Sequence, residues 1–248
     1  MVSQNNVGAL ADQVAQLEDV RIVALGQEAL KRVSAALPKV PTLGVFIRKA
    51  SYEKLSALPP FRERQHSVIY LESPPERQLN LISILLPRAK TVAVLVPADK
   101  PLAEWPKHPA LSVQSFTLRN QDELPRILSR ALNSADALLA TPEPEIYNRN
   151  LIKLILLSAY RHGKPVVGPS LAYVRAGSLA TTFSSIGDFS REIIEALEFY
   201  KKHGFWPRPG YARYFSVAVN RQVARSLGLN PPSDDMLRHE LERMEATR

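Results

Sequence analysis

The chain predicts an α/β protein of two lobes, in which parallel sheets are flanked by helices and joined by several crossovers. Three observations predict it. Short apolar runs rich in β-branched residues alternate with segments whose apolar residues recur at helical spacing. Twenty prolines against ten glycines make the connections stiff. The stretch from Gly163 to Leu229 then sets two short strand candidates, one well-marked helix and a final strand in an order that suits a two-lobed ligand-binding protein.

The elements follow in order. Val20 to Leu25 is a short buried run ended by Gly26, and Gln27 to Leu37 carries Leu30, Val33, Ala36 and Leu37 on one face until Pro38 stops it. Leu43 to Ile47 follows, so strand, helix and strand fit the usual right-handed crossover of a parallel sheet. Val68 to Leu71 reads as a third strand or an extended linker, and Glu76 to Leu86 as a helix closed by Pro87. Thr91 to Val96 is the clearest buried strand, and Pro97 to Pro101 is a loop that no central strand would absorb. Leu111 to Phe116 alternates as a strand does, Gln121 to Leu132 is helical with Pro125 in its first turn, and Ala135 to Ala140 is the next strand.

The helix predicted from Ile146 to Tyr160 is apolar almost all round, which calls for a sandwiched position. Val166-Val167 makes a very short strand, followed by a loop from Gly168 to Tyr173. Asp188 is placed as the cap of a helix buried through Phe189, Ile193, Ile194, Leu197 and Phe199, and the Gly204–Gly210 segment breaks that helix. Tyr214 to Val219 returns as a last strand. A C-terminal helix with Met236, Leu237, Leu241 and Met244 on one side docks on a lobe, with self-association through it as the alternative.

Composition sets the outer bounds. At 248 residues the chain has room for one large α/β domain or two lobes, and 45% hydrophobic with 23% charged residues is ordinary for a globular protein. The absence of cysteine removes disulfides, thiolate metal sites and a cysteine nucleophile. A formal charge of +8 would steer an anionic partner to the surface, yet no basic run follows a nucleic-acid motif, so no nucleic-acid partner is expected. Met1 to Asn6 lacks the basic region and apolar core of a secretory signal, and no run approaches the length of a membrane helix.

In a parallel α/β sheet, ligands meet the loops beyond the carboxyl ends of the strands. That rule selects Gln27, Arg48, Asp99, Thr141, Glu143, Ser170, Tyr173 and Phe183 as candidate ligand-binding residues, each with loop structure as its plainer reading. Thr141 and Glu143 offer a hydroxyl and a carboxylate, Arg48 a two-pronged contact for a ligand carboxylate, and Tyr173 or Phe183 an aromatic cover. No catalytic set assembles. The five histidines are scattered without metal-ligand spacing, Gly163-Lys164 does not complete a phosphate loop, and Gly177-Ser178 lacks the glycines of a nucleophile elbow. Asp99 and Glu143 would serve as glycosidase carboxylates only at a separation of about 5–9 Å. No metal and no cofactor are expected.

Lys164 to Ser170, Ala176 to Ala180 and Gly187-Asp188-Phe189, in that order, resemble the substrate-binding proteins of ABC transporters similar to tryptophan/tyrosine uptake components. Phe215 to Leu229 looks like the closing strand and helix of that family, and the resemblance covers residues 8 to 232. It implies a periplasmic-binding-protein fold of the first type, with lobe 1 at 1–72 and 184–204, lobe 2 at 73–183 and 212–220, and a C-terminal helical segment at 221–248. Three crossings would join the lobes. Gln27, Thr141 and Ser170 fall where the family's ligand-facing loops are expected, and Ser178 to Phe183 leads into a crossing.

The implied role is non-enzymatic binding of a small organic solute, an aromatic amino acid or related compound, by closure of the lobes, for delivery to an ABC permease in the periplasm. The chain departs from the pattern in three places. The opening strand and helix are missing or shortened before Val20, Thr141-Pro142-Glu143 stands where relatives often carry Thr-Asp-Asn, and no export leader is seen. A cytoplasmic location, and a ligand-sensing or protein-scaffolding role, are the alternatives.

Overall fold

The computed structural model describes Val14, Leu17 and residues 19–57, 66–99 and 105–246. Most positions before Val20, where shortened opening elements are expected, lie outside the described residues, as do Lys100 and Pro101 of the loop expected after Val96. The chain divides into two compact units, residues 1–72 with 184–214 and residues 73–183 with 215–248, so it passes from one to the other three times.

The first unit opens with β1 (Ile22–Leu25), α1 (Gln27–Ala36), β2 (Thr42–Ile47), α2 (Lys49–Ser56) and β3 (His66–Tyr70). The third strand candidate is therefore a strand rather than a linker. Helix α2 was not legible in the sequence, since only Tyr52 and Leu55 of its residues are buried. The second unit takes the chain through α3 (Pro75–Leu85), β4 (Thr91–Pro97), β5 (Ser112–Leu118), a 3-10 turn at Gln121–Glu123, α4 (Leu124–Ser134), β6 (Ala137–Leu139), α5 (Ile152–Arg161), β7 (Val166–Val167), α6 (Leu171–Ala176) and β8 (Ala180–Phe183). The chain returns to the first unit for α7 (Ile186–His203) and β9 (Gly210–Tyr211), and ends in the second with β10 (Ser216–Val219), α8 (Arg221–Ser226) and α9 (Asp234–Ala246).

Among the described residues, the first unit's strands form a sheet in the order β1-β2-β3-β9, parallel throughout. One face packs Ala24, Ile47, Val68 and Tyr70 against Leu30 of α1 and Tyr52 and Leu55 of α2. The other sets Leu43, Val45 and Ile69 against Phe189 and Ala196 of α7 and Trp206. Alternate residues of β1 and β3 thus serve opposite layers, as the two-residue strand repeat requires, while in β2 the register shift between Val45 and Ile47 turns Ile47 to the layer opposite Leu43 and Val45.

The second unit's sheet runs β10-β8-β7-β6-β4-β5, parallel except that β10 is antiparallel to β8. Strand β4 divides its side chains cleanly. Val92, Val94 and Val96 face α3 and α9, whereas Ala93 and Leu95 face α4 and α5. Leu237 and Leu241 bring α9 into the core with Leu79 and Phe215, so the C-terminal helix is an integral layer of this unit.

Five local readings are corrected. Pro97 is the last residue of β4, not the start of a loop. Ala98 donates to the Leu118 carbonyl on the β5 side, so the nitrogen of Pro97 faces the β6 side, where β6 has already ended. Helix α5 starts at Ile152 rather than Ile146, because the Asn148 side chain accepts from the N–H groups of Asn150 and Leu151 and donates to the Pro144 carbonyl, organising the preceding turn. Nor is α5 sandwiched. Ile155 and Ala159 are buried while Leu154, Leu157 and Tyr160 are exposed.

The loop drawn from Gly168 to Tyr173 instead leads into α6. Finally, Ser185 and not Asp188 caps α7. The Ser185 hydroxyl accepts from the Asp188 N–H at 3.1 Å, and the Asp188 carboxylate accepts from the Ser185 N–H at 2.7 Å, a reciprocal pair that satisfies two otherwise unbonded helix-end donors. Gly204, at φ 77°, ends the helix with a left-handed turn that a side chain would strain.

Candidate functional site

Parallel pairing brings loops from successive strands to a common edge, and in each unit the carboxyl edge of the sheet gathers most of the chemistry. In the first unit, Leu25 pairs with Val45, so Gln27 and Arg48 follow neighbouring strands at the same edge. Gln27 is half-buried at the first position of α1, and Arg48 is exposed at the residue preceding α2. Just before Arg48 the register of β2 on β3 shifts between Val45 and Ile47, and Phe46 sits at φ 60° with its ring 4.6 Å from that of Phe189. A bulge of this kind bends the strand end and redirects the side chains beyond it.

Glu72 completes this edge and was missed by sequence reasoning. Its Oε1 accepts the Lys49 N–H at 2.8 Å, while its Oε2 is buried without a partner among the described residues. Burial raises the Glu72 pKa above the usual glutamate range, against the lowering effects of the Lys49 N–H and the charges of Arg48 and Lys49. Beside it, the rings of Tyr52 and Tyr70 lie 6.2 Å apart and those of Tyr70 and Tyr211 5.2 Å apart. The Tyr70 hydroxyl is pushed up to about 12, first by burial and then by Tyr52, Glu53 and Glu72. The signal was available: Glu72 lies just beyond a strand end, but a segment read as strand or linker did not invite the carboxyl-edge rule.

In the second unit, the register Leu138–Val166 and Val167–Ala180 places the loops after β6, β7 and β8 side by side. Thr141, Ser170, Tyr173 and Phe183 share that edge. Thr141 is buried and its Oγ1 has no partner among the described residues. Glu143 is half-buried, and its carbonyl accepts from the N–H groups of Ile146 and Tyr147. Ser170 precedes α6 and its carbonyl accepts the Tyr173 N–H, so its hydroxyl caps no helix. Phe183 is half-buried at the last position of β8. Asp99 stands apart, exposed beyond the end of β4, which outruns β6.

Tyr173 acts as a brace. Its hydroxyl donates to the Tyr147 carbonyl, and the two rings meet edge-on at 6.4 Å. Gly168 allows this approach, since a Cβ there would lie 2.6 Å from the Tyr173 Cβ and 3.0 Å from the Ser178 Oγ. Burial drives the pKa of the Tyr147 hydroxyl upward, against the lowering effect of a hydrogen bond with the Leu95 backbone, so it stays neutral. Across the edge, Gln78 in the first turns of α3 donates to the Thr182 carbonyl at 3.2 Å and accepts the Thr182 N–H at 3.3 Å. The Thr182 Oγ1 is fully buried and also has no partner among the described residues. Tyr147 and Gln78 were missed because each sat inside a segment read as helix, and Thr182 because Ser178 to Phe183 was read as the approach to a crossing.

A groove of about 490 Å³ lies within the first unit between α7 and the β3–β9 side, where Arg213 engages Glu192 and Glu195. None of the eight sequence-selected residues lines it, and its carboxylates Glu192 and Glu195 are already paired with Arg213. Among the described residues no cluster of histidine and acidic residues could hold a metal ion, and no helix is long and apolar enough to cross a membrane.

Comparison with known proteins identifies the fold. No family model and no curated protein matches the sequence. Among solved structures, the ABC domain in complex with L-Trp from Streptococcus pneumonia is similar at a TM-score of 0.60 and 16% identity, over 96% of this chain and 85% of that one. A substrate binding protein with adhesive properties from Clostridium difficile, in its ligand-free, open structure, is similar at a TM-score of 0.68 and 16% identity, over 93% of this chain and 81% of that one. A conserved domain protein from Vibrio cholerae gives a TM-score of 0.58 at 15% identity, over 94% and 81%. The chain has the fold of the ABC-type substrate-binding proteins, a periplasmic-binding-protein fold of the first type.

Proposed function

We propose that this chain binds a small organic solute without transforming it, closing its two units over the ligand and handing it to an ABC permease outside the cytoplasmic membrane. The observation that carries the reading is the pair of buried hydroxyls of Thr141 and Thr182, without partners among the described residues, at the carboxyl edge of one sheet. Buried polar groups are normally hydrogen-bonded, and leaving one unmade costs about 1–3 kcal/mol. A ligand with matching donors and acceptors would recover that cost, at the edge where folds of this kind take ligands. Arg48 and the half-buried Glu72, at the corresponding edge of the other sheet, suit a ligand that carries a carboxylate and an amine. Tyr173 and Phe183 suit a flat apolar body. We therefore favour an aromatic amino acid or a close relative, in keeping with the L-Trp held by one structural neighbour.

Native mass spectrometry of gently purified protein, followed by calorimetric titration with L-tryptophan, L-tyrosine and non-aromatic amino acids, tests the proposal. The expected outcome is one saturable site with a preference for the aromatic zwitterions. Failure of every amino acid, together with no co-purifying small molecule, defeats it.

A further inference from the structure

Helix α5 presents to solvent the side that its composition was expected to bury. Leu154, Leu157 and Tyr160 are 40%, 50% and 63% exposed, and Lys153 and Arg161 are exposed with them. At 100° per residue these five positions occupy one arc of the helix, opposite Ile155 and Ala159, which face the core. The chain around them is one-signed. Between Glu145 and Asp188 there is no acidic residue, while Arg149, Lys153, Arg161, Lys164 and Arg175 are basic.

We propose that this face of α5 docks on an anionic phospholipid surface. Alternating cations with leucine and tyrosine is the composition of an interfacial helix: the apolar side chains enter the boundary between headgroups and acyl chains, while lysine and arginine reach the phosphates. Tyrosine favours that depth, because its ring is apolar and its hydroxyl remains wet. Two other occupants fit less well. A second copy related by a twofold axis would set Lys153 and Arg161 against their own likes, and a protein interface tends to exclude lysine from its core. The inference goes beyond solute binding and needs no bound ligand.

Co-sedimentation of the full chain with vesicles of phosphatidylglycerol and phosphatidylcholine, and with phosphatidylcholine alone, tests it. The chain should partition onto the anionic vesicles and leave them in high salt. Lys153→Glu with Arg161→Glu, and separately Leu157→Ser with Tyr160→Ser, should each weaken partition by about tenfold or more. Both pairs are exposed, so circular dichroism and thermal unfolding should match the parent. Partition no greater on anionic than on neutral vesicles overturns the proposal. So does partition that survives both variants, or a dimer in solution that Leu157→Ser dissolves.

Discussion

The buried Arg77 guanidinium holds Glu245 with two hydrogen bonds, Nε to Oε1 at 2.6 Å and Nη2 to Oε2 at 2.9 Å, while lying 3.9 Å from the Phe215 ring centre. One side chain of α3 thereby fastens both α9 and the segment that enters β10. Removing Glu245 takes two charge-assisted hydrogen bonds away from a buried cation. Glu245→Ala should destabilise the second unit by about 2 kcal/mol, a discounted figure because the carboxylate is one-third exposed. Urea unfolding measures the loss, and amide exchange should show it concentrated in α9.

At Gly168 the constraint is space. Gly168→Ala puts a methyl group 2.6 Å from the Tyr173 Cβ, where neither backbone gives way easily. A destabilisation of about 1–3 kcal/mol is expected from overpacking. If the edge binds solute, affinity should fall with it, since Tyr173 and Tyr147 are displaced together. A midpoint unchanged in thermal unfolding would contradict the packing.

The hydroxyls of Thr141 and Thr182 can be separated from their shape. Thr141→Val and Thr182→Val keep the volume and delete an unpartnered polar atom, so the ligand-free protein should be unchanged or more stable by about 1 kcal/mol. Ligand affinity should instead drop by about tenfold for each, corresponding to about 1.4 kcal/mol. Paired thermal unfolding and calorimetry distinguish a binding hydroxyl from a structural one, for which stability would fall.

Glu72 predicts a pH dependence of defined sign. Its folded pKa is raised chiefly by burial, so the folded state binds a proton more readily than the unfolded chain does. Its contribution is therefore fully favourable below the unfolded pKa and is lost as pH rises through the folded one. Glu72→Gln should be at least as stable as the parent at pH 7, with its advantage disappearing in acid. Chemical unfolding across pH 4 to 8 checks the crossover, and an advantage that grew on acidification would reverse the assignment.

What the sequence made legible was set by how much each element buries. Val92 to Val96 is apolar throughout and reads as an interior strand; α2 shows two buried side chains and α6 one, too few to impose a period. Helix α5 shows the converse error, because an all-round apolar composition does not say whether a neighbour covers every side. The carboxyl-edge rule selected Thr141 and Tyr173, which sit among buried polar groups, and also Asp99, which stands apart because β4 runs on past β6. Gln78 and Tyr147 depend on contacts with residues remote in sequence or on packing depth, which local spacing does not encode.

Residues 215–246 supply the antiparallel edge strand and a core layer to a unit that begins at Ser73. Synthesis must therefore pass α9 before that unit can finish folding, and the segment 184–214 imposes a similar delay on its companion. A nonsense mutation ahead of α9 should yield no functional half-molecule, only a chain with exposed leucines destined for proteolysis or aggregation.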